Sequence, residues 1–214
     1  MSKVLIVSRT RMQDSRVCIG GIDLDNSISI RLLDIGGYHE TENVCPYEIG
    51  DLWECSYIHN PRRPAPHLED SNVFYRNLIQ KHAYSTSTQL IEILTKHGVT
   101  IYRGSINECF EGYLVQANNR FFISKMNTPK FSTCFWINDK VLQKNDYQKP
   151  NGHVKKQLAY HVDGLWIKSI AFVGLGGTPD MVPIGSLVRL SLANWWKKDE
   201  NTEERCYLQI SGVF

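Results

Sequence analysis

Short segments in which apolar and polar residues alternate recur along most of the chain, and this two-residue period is typical of half-buried β-strands. The clearest early segment is DLWECSYIH (51–59), where Trp53 and Cys55 alternate with polar residues. A turn signal at Asp25-Asn26, between two such segments, predicts a β-hairpin. Several short strands in close succession indicate a small barrel. The strands predicted in this part are 3–8, 16–24, 27–34 and 51–59.

A helical period is clear at one place, in STSTQLIEILTKHG (85–98). Leu90, Ile91 and Leu94, together with Ile93, form the apolar stripe of this predicted helix. The hydroxyl residues at 85–87 can cap it, and Gly98 ends it. After Gly98 the strand pattern returns, and no further helix of ordinary length is predicted. The strands predicted there are 99–104, 112–117, 119–126, 134–139, 158–162, 165–174, 186–196 and 206–214.

The composition allows a packed core without disulfides, because 42% of the 214 residues are apolar. No apolar run approaches the ~18 residues of a membrane span, and the start, MSKVLIVSRTRM, lacks a secretory pattern. We therefore expect a cytoplasmic protein that makes no membrane contact. None of the six cysteines is spaced C-x-x-C, which disfavours a zinc site and predicts reduced, mostly buried thiols.

The net charge of +2 conceals a basic segment, since residues 120–168 hold nine Lys/Arg and three Asp/Glu. Within it, residues 118–140 interleave cations with aromatic rings. Cations neutralise phosphates and flat rings stack on bases, so this pattern indicates a nucleic-acid surface. Strand alternation puts Phe121 and Phe122 on opposite faces, one in the core and one outward. The alternatives are a solvated lysine face and aromatic residues that all belong to the core. The binding residues predicted here are Arg120, Phe122, Lys125, Lys130, Trp136, Lys155 and Lys156.

Four arginines near the first predicted hairpin complete the set of predicted nucleic-acid contacts, namely Arg9, Arg11, Arg16 and Arg31. One interpretation is that they line a groove. The other is that they pair with the nearby carboxylates of Asp14, Asp23 and Asp25.

The proline-rich stretch NPRRPAPHLEDSNVF (60–74) has three interpretations. Four of its residues are candidates for a ligand-contacting loop, namely Arg62, Arg63, His67 and Asp70. In the structural interpretation, the prolines fix an extended path, and Asp70 or Ser71 caps a weaker helix around 71–83. In the third, a metal-dependent nuclease uses its carboxylates, but these are adjacent and their side chains diverge. We assign no catalytic residue, no metal and no cofactor.

Several of these pieces occur together in the order V-S-R-T-R-M, RVCIGGID, SISIRLLD, YEIGDLWEC, PHLEDSNV, LVRLSLANWW and CYLQISGVF. In this order they resemble the bacterial dual-OB domain family, most strongly over residues 3–73 and 184–214. The resemblance implies two OB-type barrels, nucleic-acid binding and an association with defence genes. One departure is the stretch ISIR (28–31), which stands where the family usually has Trp-Ile-Arg-Pro.

We therefore predict a mainly β fold, with two OB-like β-barrels joined by a short helical segment. The predicted domains are a first barrel at 1–66, a helical connector at 67–98 and a second barrel at 99–214. The predicted function is non-catalytic binding of single-stranded DNA or RNA. The alternative is a protein-interaction subunit of an operon-encoded defence complex, because Trp195 and Trp196 are adjacent and cannot both point inward on a regular strand.

Overall fold

Two separately packed units make up the chain, Met1–Ile101 and Tyr102–Phe214. The computed structural model describes residues 1–60, 64–117, 119–160 and 169–214. Within these ranges no helix has both the length and the apolar character needed to cross a membrane.

The first unit contains a closed β-barrel. Its strands are β1 (Ser2–Arg11), β2 (Val17–Asp23), β3 (Ile28–Leu33), β4 (Leu52–His59) and β5 (Asp70–Gln80). They pair in the order β1-β2-β3-β5-β4, and β1 closes the barrel against β4. β3 and β5 are parallel, whereas the other neighbours are antiparallel. A five-stranded barrel of this kind is an OB-fold, as the sequence predicted.

The barrel interior is filled by apolar residues that alternate along the strands. Its buried members include Val4, Ile6, Ile19, Ile30, Leu32, Trp53, Cys55 and Val73. Gly21 has a packing role, since a Cβ at this position would lie 2.6 Å from Val4 Cγ1. The glycine therefore allows β1 and β2 to approach closely.

The hairpin predicted at Asp25-Asn26 is confirmed, since β2 and β3 pair antiparallel on either side of it. The buried carboxylate of Asp23 accepts hydrogen bonds from the backbone N–H groups of Asp25 (2.9 Å) and Asn26 (3.0 Å), and from the Tyr57 hydroxyl. Burial raises the pKa of Asp23, but the hydrogen bonds from Tyr57 and Asn26 lower it by more, so the net pKa lies below its ordinary value. This one carboxylate ties the turn to β4.

The helix predicted around 71–83 is wrong, because Asp70–Gln80 forms strand β5. β5 pairs with the whole length of β4, so barrel closure satisfies its backbone hydrogen bonds and overrides a weak helical pattern. Asp70 and Ser71 therefore begin a strand and do not cap a helix. The predicted boundary after residue 66 falls inside the first unit.

The other predicted helix is confirmed as α1, Ser87–Lys96. Thr86 precedes it in an extended conformation and accepts a hydrogen bond from a backbone N–H of the first turn at 3.3 Å. Of the predicted apolar stripe, Leu90 and Leu94 are fully buried, whereas Ile91 and Ile93 are half-buried. Gly98 follows the helix with a left-handed φ of 69°.

The second unit is built on a curled sheet. Its strands are β6 (Ile101–Gly104), β7 (Val115–Ala117), β8 (Arg120–Ser124), β9 (Thr133–Asn138), β10 (Leu142–Lys144), β11 (Tyr147–Gln148), β12 (Val154–Lys155), β13 (Gln157–Tyr160), β14 (Ser169–Phe172), β15 (Met181–Val182), β16 (Leu187–Leu192) and β17 (Arg205–Val213). The sheet order is β15-β10-β13-β14-β17-β16-β9-β6, with β8 on β17 and β7 on β8. β11 and β12 form a separate two-stranded hairpin. Two 3-10 turns follow β6, at Ile106–Glu108 and Phe110–Gly112.

One side of this sheet is the core of the second unit. It includes Phe121, Ile123, Trp136, Leu158, Ile170, Val188, Leu190, Cys206, Leu208 and Ile210. The strand predicted at 186–196 is shorter than expected and ends at Leu192, so both Trp195 and Trp196 lie beyond it. The predicted turn at Asp163-Gly164 lies outside the described residues.

None of the six cysteines forms a disulfide, as predicted, and most are buried. Burial raises the pKa of Cys55 and of Cys206 to about 12 in each case. Neutral, buried thiols of this kind act as small apolar side chains.

Candidate nucleic-acid interface

The side of the sheet away from the core carries arginine and aromatic side chains on β8 and β17. Phe121 and Ile123 of β8 face the core, so Arg120 and Phe122 lie on the other side. On β17, Cys206 and Leu208 face the core, which places Arg205 and Tyr207 on the same outer side as the β8 pair. The register aligns Phe122 with Tyr207. We call Arg120, Phe122, Arg205, Tyr207 and Trp196 the arginine–aromatic face.

The cations of this face lie over its rings. The Arg120 guanidinium is 5.6 Å from the centre of the Tyr207 ring, and that of Arg205 is 4.0 Å from the centre of the Phe122 ring. Tyr207 also lies beside Trp196, with ring centres 6.0 Å apart. Attraction between a cation and a ring face is worth ~0.5–1 kcal/mol at exposed sites. These contacts hold the arginines and rings in a fixed arrangement.

The rings differ in their exposure. Trp196 is 53% exposed and Tyr207 is half-buried, but only 3% of Phe122 is exposed. Reciprocal backbone hydrogen bonds with Arg205, of 3.1 and 2.9 Å, fix the position of Trp196 beside β17. Trp196 thus offers ring surface to a ligand, whereas Tyr207 lies under Arg120 and Phe122 lies under Arg205.

A cationic hairpin approaches the same face. Residues 147–155 form it, with Tyr147 opposite Lys155 and a backbone hydrogen bond of 2.9 Å from Lys149 to His153. Asp146 anchors its base by accepting hydrogen bonds from the Gln157 backbone N–H (2.9 Å) and from the Thr178 hydroxyl (3.0 Å).

The hairpin lysines are within electrostatic reach of the face. Burial lowers the pKa of Lys155, and the positive charges of Arg120 and Lys149 lower it further. Among the described residues, no carboxylate lies within ion-pair distance of Arg120, Lys149 or Lys155. Cations that repel one another in this way attract an anion.

Two glutamates border this region. Glu203 lies 3.7 Å from Arg205 Nε, and Glu204 forms an ion pair with Lys125. The Lys125 ammonium also lies 5.7 Å from the centre of the Trp195 ring. Lys125 therefore already contacts side chains of its own unit, unlike Arg120 and the hairpin residues Lys149 and Lys155.

The prediction that Trp136 and Phe122 are exposed for base stacking is wrong. Trp136 is fully buried, and its Nε1 donates a hydrogen bond to the Gly104 carbonyl at 2.9 Å. Its register partner on β16 is Val188, a core residue, so the indole points into the sheet core. Phe122 does lie on the outer side, but Arg205 covers it. Neither ring presents a free surface to a base.

The other predicted cations of the second unit are separate cases. Lys156 Nζ donates a hydrogen bond to the Gly176 carbonyl, which ties it to a loop of the protein. Lys130 is exposed outside any strand. Of the predicted residues, the structure thus brings Arg120, Phe122 and Lys155 together.

In the first unit, two of the four predicted arginines form ion pairs. Arg31 pairs with the buried carboxylate of Asp70, which lies directly opposite it on β5. Arg9 pairs with Glu48 and donates a hydrogen bond of 3.0 Å to the Glu42 carbonyl. Arg9 and Arg31, which were predicted to contact nucleic acid, instead have a structural role in these contacts. The remaining two, Arg11 and Arg16, are exposed.

The candidate ligand loop is mostly buried where it is described. His67 is 2% exposed and Asp70 is 3% exposed, so both side chains are buried within the first unit. Arg62 and Arg63 lie outside the described residues. Among the described residues, no group of three His, Cys, Asp or Glu side chains is arranged to hold a metal ion.

Sequence reasoning missed Arg205 and Tyr207 as surface residues. The signal was present in RCYLQI (205–210), where Arg205, Tyr207 and Gln209 alternate with three apolar residues. That alternation predicts that Arg205, Tyr207 and Gln209 lie next to one another on the outer side of the strand.

Comparison with protein families matches residues 2–213 to the dual OB-containing domain. Comparisons with curated proteins and with solved structures found no matching protein. The match spans both units and agrees with the OB barrel of the first unit and the curled sheet of the second. The chain therefore belongs to the dual OB-containing domain family.

Proposed function

We propose that this protein binds single-stranded DNA or RNA without cleaving it, on the arginine–aromatic face and the cationic hairpin. The observation that carries the proposal is the position of Arg120 over Tyr207, next to the exposed ring of Trp196. OB-folds combine a cationic groove with rings on which bases stack.

Each group has a distinct role in this proposal. Arg120, Lys149 and Lys155 neutralise phosphates, because they have no carboxylate partner among the described residues. Trp196 stacks on a base, which requires a base that is not already paired and stacked in a duplex. The face therefore favours a single strand over a double strand.

The first test measures binding by fluorescence anisotropy with a labelled single strand of about 15 nucleotides, over a range of salt concentrations. Affinity is expected to fall steeply as salt rises, because cations that contact phosphates release counterions. Arg120→Gln and Lys155→Gln should each weaken binding and reduce the slope of log affinity against log salt by about 0.7. Lys81→Gln, which removes an exposed charge from the first unit, is the matched control.

The second test separates ring stacking from charge. Trp196→Ala should lower affinity by about 5- to 100-fold, which corresponds to ~1–3 kcal/mol for one stacked base. Phe74→Ala is the control, because Phe74 is 54% exposed and Trp196 is 53% exposed. An affinity that does not depend on salt concentration contradicts the proposal. So does an affinity that is unchanged in the double variant Arg120→Gln/Trp196→Ala.

A protein-interaction subunit is the second candidate, and the exposure of Trp196 is the observation that favours it. A stoichiometric partner that copurifies through a moderate salt wash, and that is lost with Trp196→Ala, would support it. Cytoplasmic location remains a prediction from the start of the sequence and its short apolar runs, and association with bacterial defence remains a prediction from the resemblance.

A further inference from the structure

Arg205 lies directly beside the exposed ring of the arginine–aromatic face. An isolated antiparallel bridge aligns Arg205 with Trp196, so the two side chains project next to each other from the same side of the sheet. Trp196 is the ring that offers its surface to a base. Because a base and its phosphate belong to one nucleotide, a base stacked on Trp196 brings its phosphate close to Arg205. Arg205 is therefore well placed to contact that phosphate.

A carboxylate of the protein already lies beside Arg205. Glu203 Oε2 is 3.7 Å from Arg205 Nε, which is close enough for an ion pair but too long for a hydrogen bond. Within the described part of the chain, the buried Nε donor has no hydrogen-bond partner. The Arg205 side chain is 25% exposed and that of Glu203 is 41% exposed, so solvent ions can reach the pair. The contact is therefore electrostatic, and another anion can replace Glu203.

The connection 197–204 contains two more glutamates, which do not share this contact. Glu204 forms an ion pair with Lys125. Glu200 is exposed and forms no ion pair with any residue that the structure describes. Glu203 is thus the glutamate of this connection that competes for the arginine. Glu200 provides a control with the same charge, in the same connection, without the contact.

We propose that Glu203 is an autoinhibitory group, which pairs with Arg205 when no ligand is bound and is displaced by the phosphate of a nucleotide stacked on Trp196. This inference rests on the proposed function, because it adds an arginine–phosphate contact and an internal competitor to the same site. A guanidinium can donate two parallel hydrogen bonds to a phosphate, whereas Glu203 is too far from Arg205 Nε to accept one. The phosphate is therefore the stronger partner, but its binding requires that the Glu203 contact be broken.

The first variant is Glu203→Gln, which removes the competing charge and nearly keeps the size of the side chain. Its affinity for a labelled single strand, measured by fluorescence anisotropy, should be about two- to fivefold higher than that of the wild type, as expected when one exposed ion pair no longer has to be broken. Glu200→Gln removes the same charge from the same connection. It should raise the affinity by less, because Glu200 does not pair with Arg205.

A double-mutant cycle with Arg205 distinguishes direct competition from general repulsion between Glu203 and the strand. In an Arg205→Gln background, Glu203→Gln should no longer raise the affinity, because the arginine that it would release is absent. In an Arg205→Lys background, which keeps the charge, Glu203→Gln should still raise it. If Arg205→Gln does not fold, Arg205→Met takes its place, because a methionine side chain can still cover the Phe122 ring.

The outcomes separate the two proposals. Equal affinities of Glu203→Gln and the wild type overturn the autoinhibitory role and leave the proposed function standing. A gain that persists without Arg205, or that Glu200→Gln reproduces in full, also overturns it, because repulsion of the strand by negative charge would then explain the result. Absence of binding to any single strand, by both the wild type and Glu203→Gln, refutes the proposed function itself.

Discussion

The Arg31 guanidinium forms an ion pair with Asp70, and the two residues face each other across the parallel pair of β3 and β5. The Asp70 side chain is 4% exposed and that of Arg31 is 18% exposed. This pair joins the only parallel neighbours of the described barrel, at the point where β5 enters it. Arg31 therefore holds the barrel together and is not available to a ligand.

Replacing Asp70 with Ala leaves the Arg31 charge buried without its partner. We expect a loss of about 3–5 kcal/mol in the free energy of unfolding, as for other broken buried ion pairs. Urea denaturation measures it, and Asp180→Ala, which removes an exposed carboxylate, is the control. The double variant Arg31→Met/Asp70→Leu should recover much of the loss. A single variant as stable as the wild type contradicts the structural role.

The two tryptophans at positions 136 and 196 should respond in opposite ways. Trp136→Ala opens a cavity in the second unit's core and should cost about 3–5 kcal/mol of unfolding free energy. Trp196→Ala removes an exposed side chain and should change stability by about 0.5 kcal/mol or less, while it lowers affinity for single strands. Thermal unfolding and anisotropy, measured on both variants, test this pair of expectations together.

The carboxylate of Asp23 should make stability depend on pH. Its folded pKa is below its ordinary value of about 3.9, so the folded state favours the charged form. This contribution is fully present above the unfolded pKa and is lost as the pH falls through the folded pKa. The stability advantage of the wild type over Asp23→Asn should therefore shrink between about pH 6 and about pH 2. A stability difference between the wild type and Asp23→Asn that stays constant over that range would contradict the lowered pKa of Asp23.

Lys155 should make binding sensitive to alkaline pH. Burial and the charges of Arg120 and Lys149 lower its pKa, so it loses its proton at a lower pH than an exposed lysine. Affinity for a single strand should fall as the pH rises from about 7 to about 10. Lys155→Arg should keep its affinity over that range, because a guanidinium stays protonated. If the two proteins respond equally, another group is responsible.

Local patterns were sufficient where the local structure depends on a few neighbouring residues. The spacing of Leu90 and Leu94 identified α1, and Asp25-Asn26 identified the hairpin. β5 was not recognised, because its pairing with β4 depends on residues far away in the sequence. The arginine–aromatic face was predicted in part, since alternation predicts that Phe121 and Phe122 lie on opposite sides of the sheet but not which side is covered. For the same reason Trp136 was assigned to the surface, although its register with Val188 places it inside.

Within the described part of the chain, β11 and β12 pair only with each other, and Asp146 fixes their base to the neighbouring segments. Changes in the length or charge of this protruding arm would leave the hydrogen bonding of the main sheet untouched. Substitutions confined to this hairpin would therefore change the affinity for a ligand without affecting the folding of the main sheet. Exchanging it between members would be a simple way to retune the scaffold.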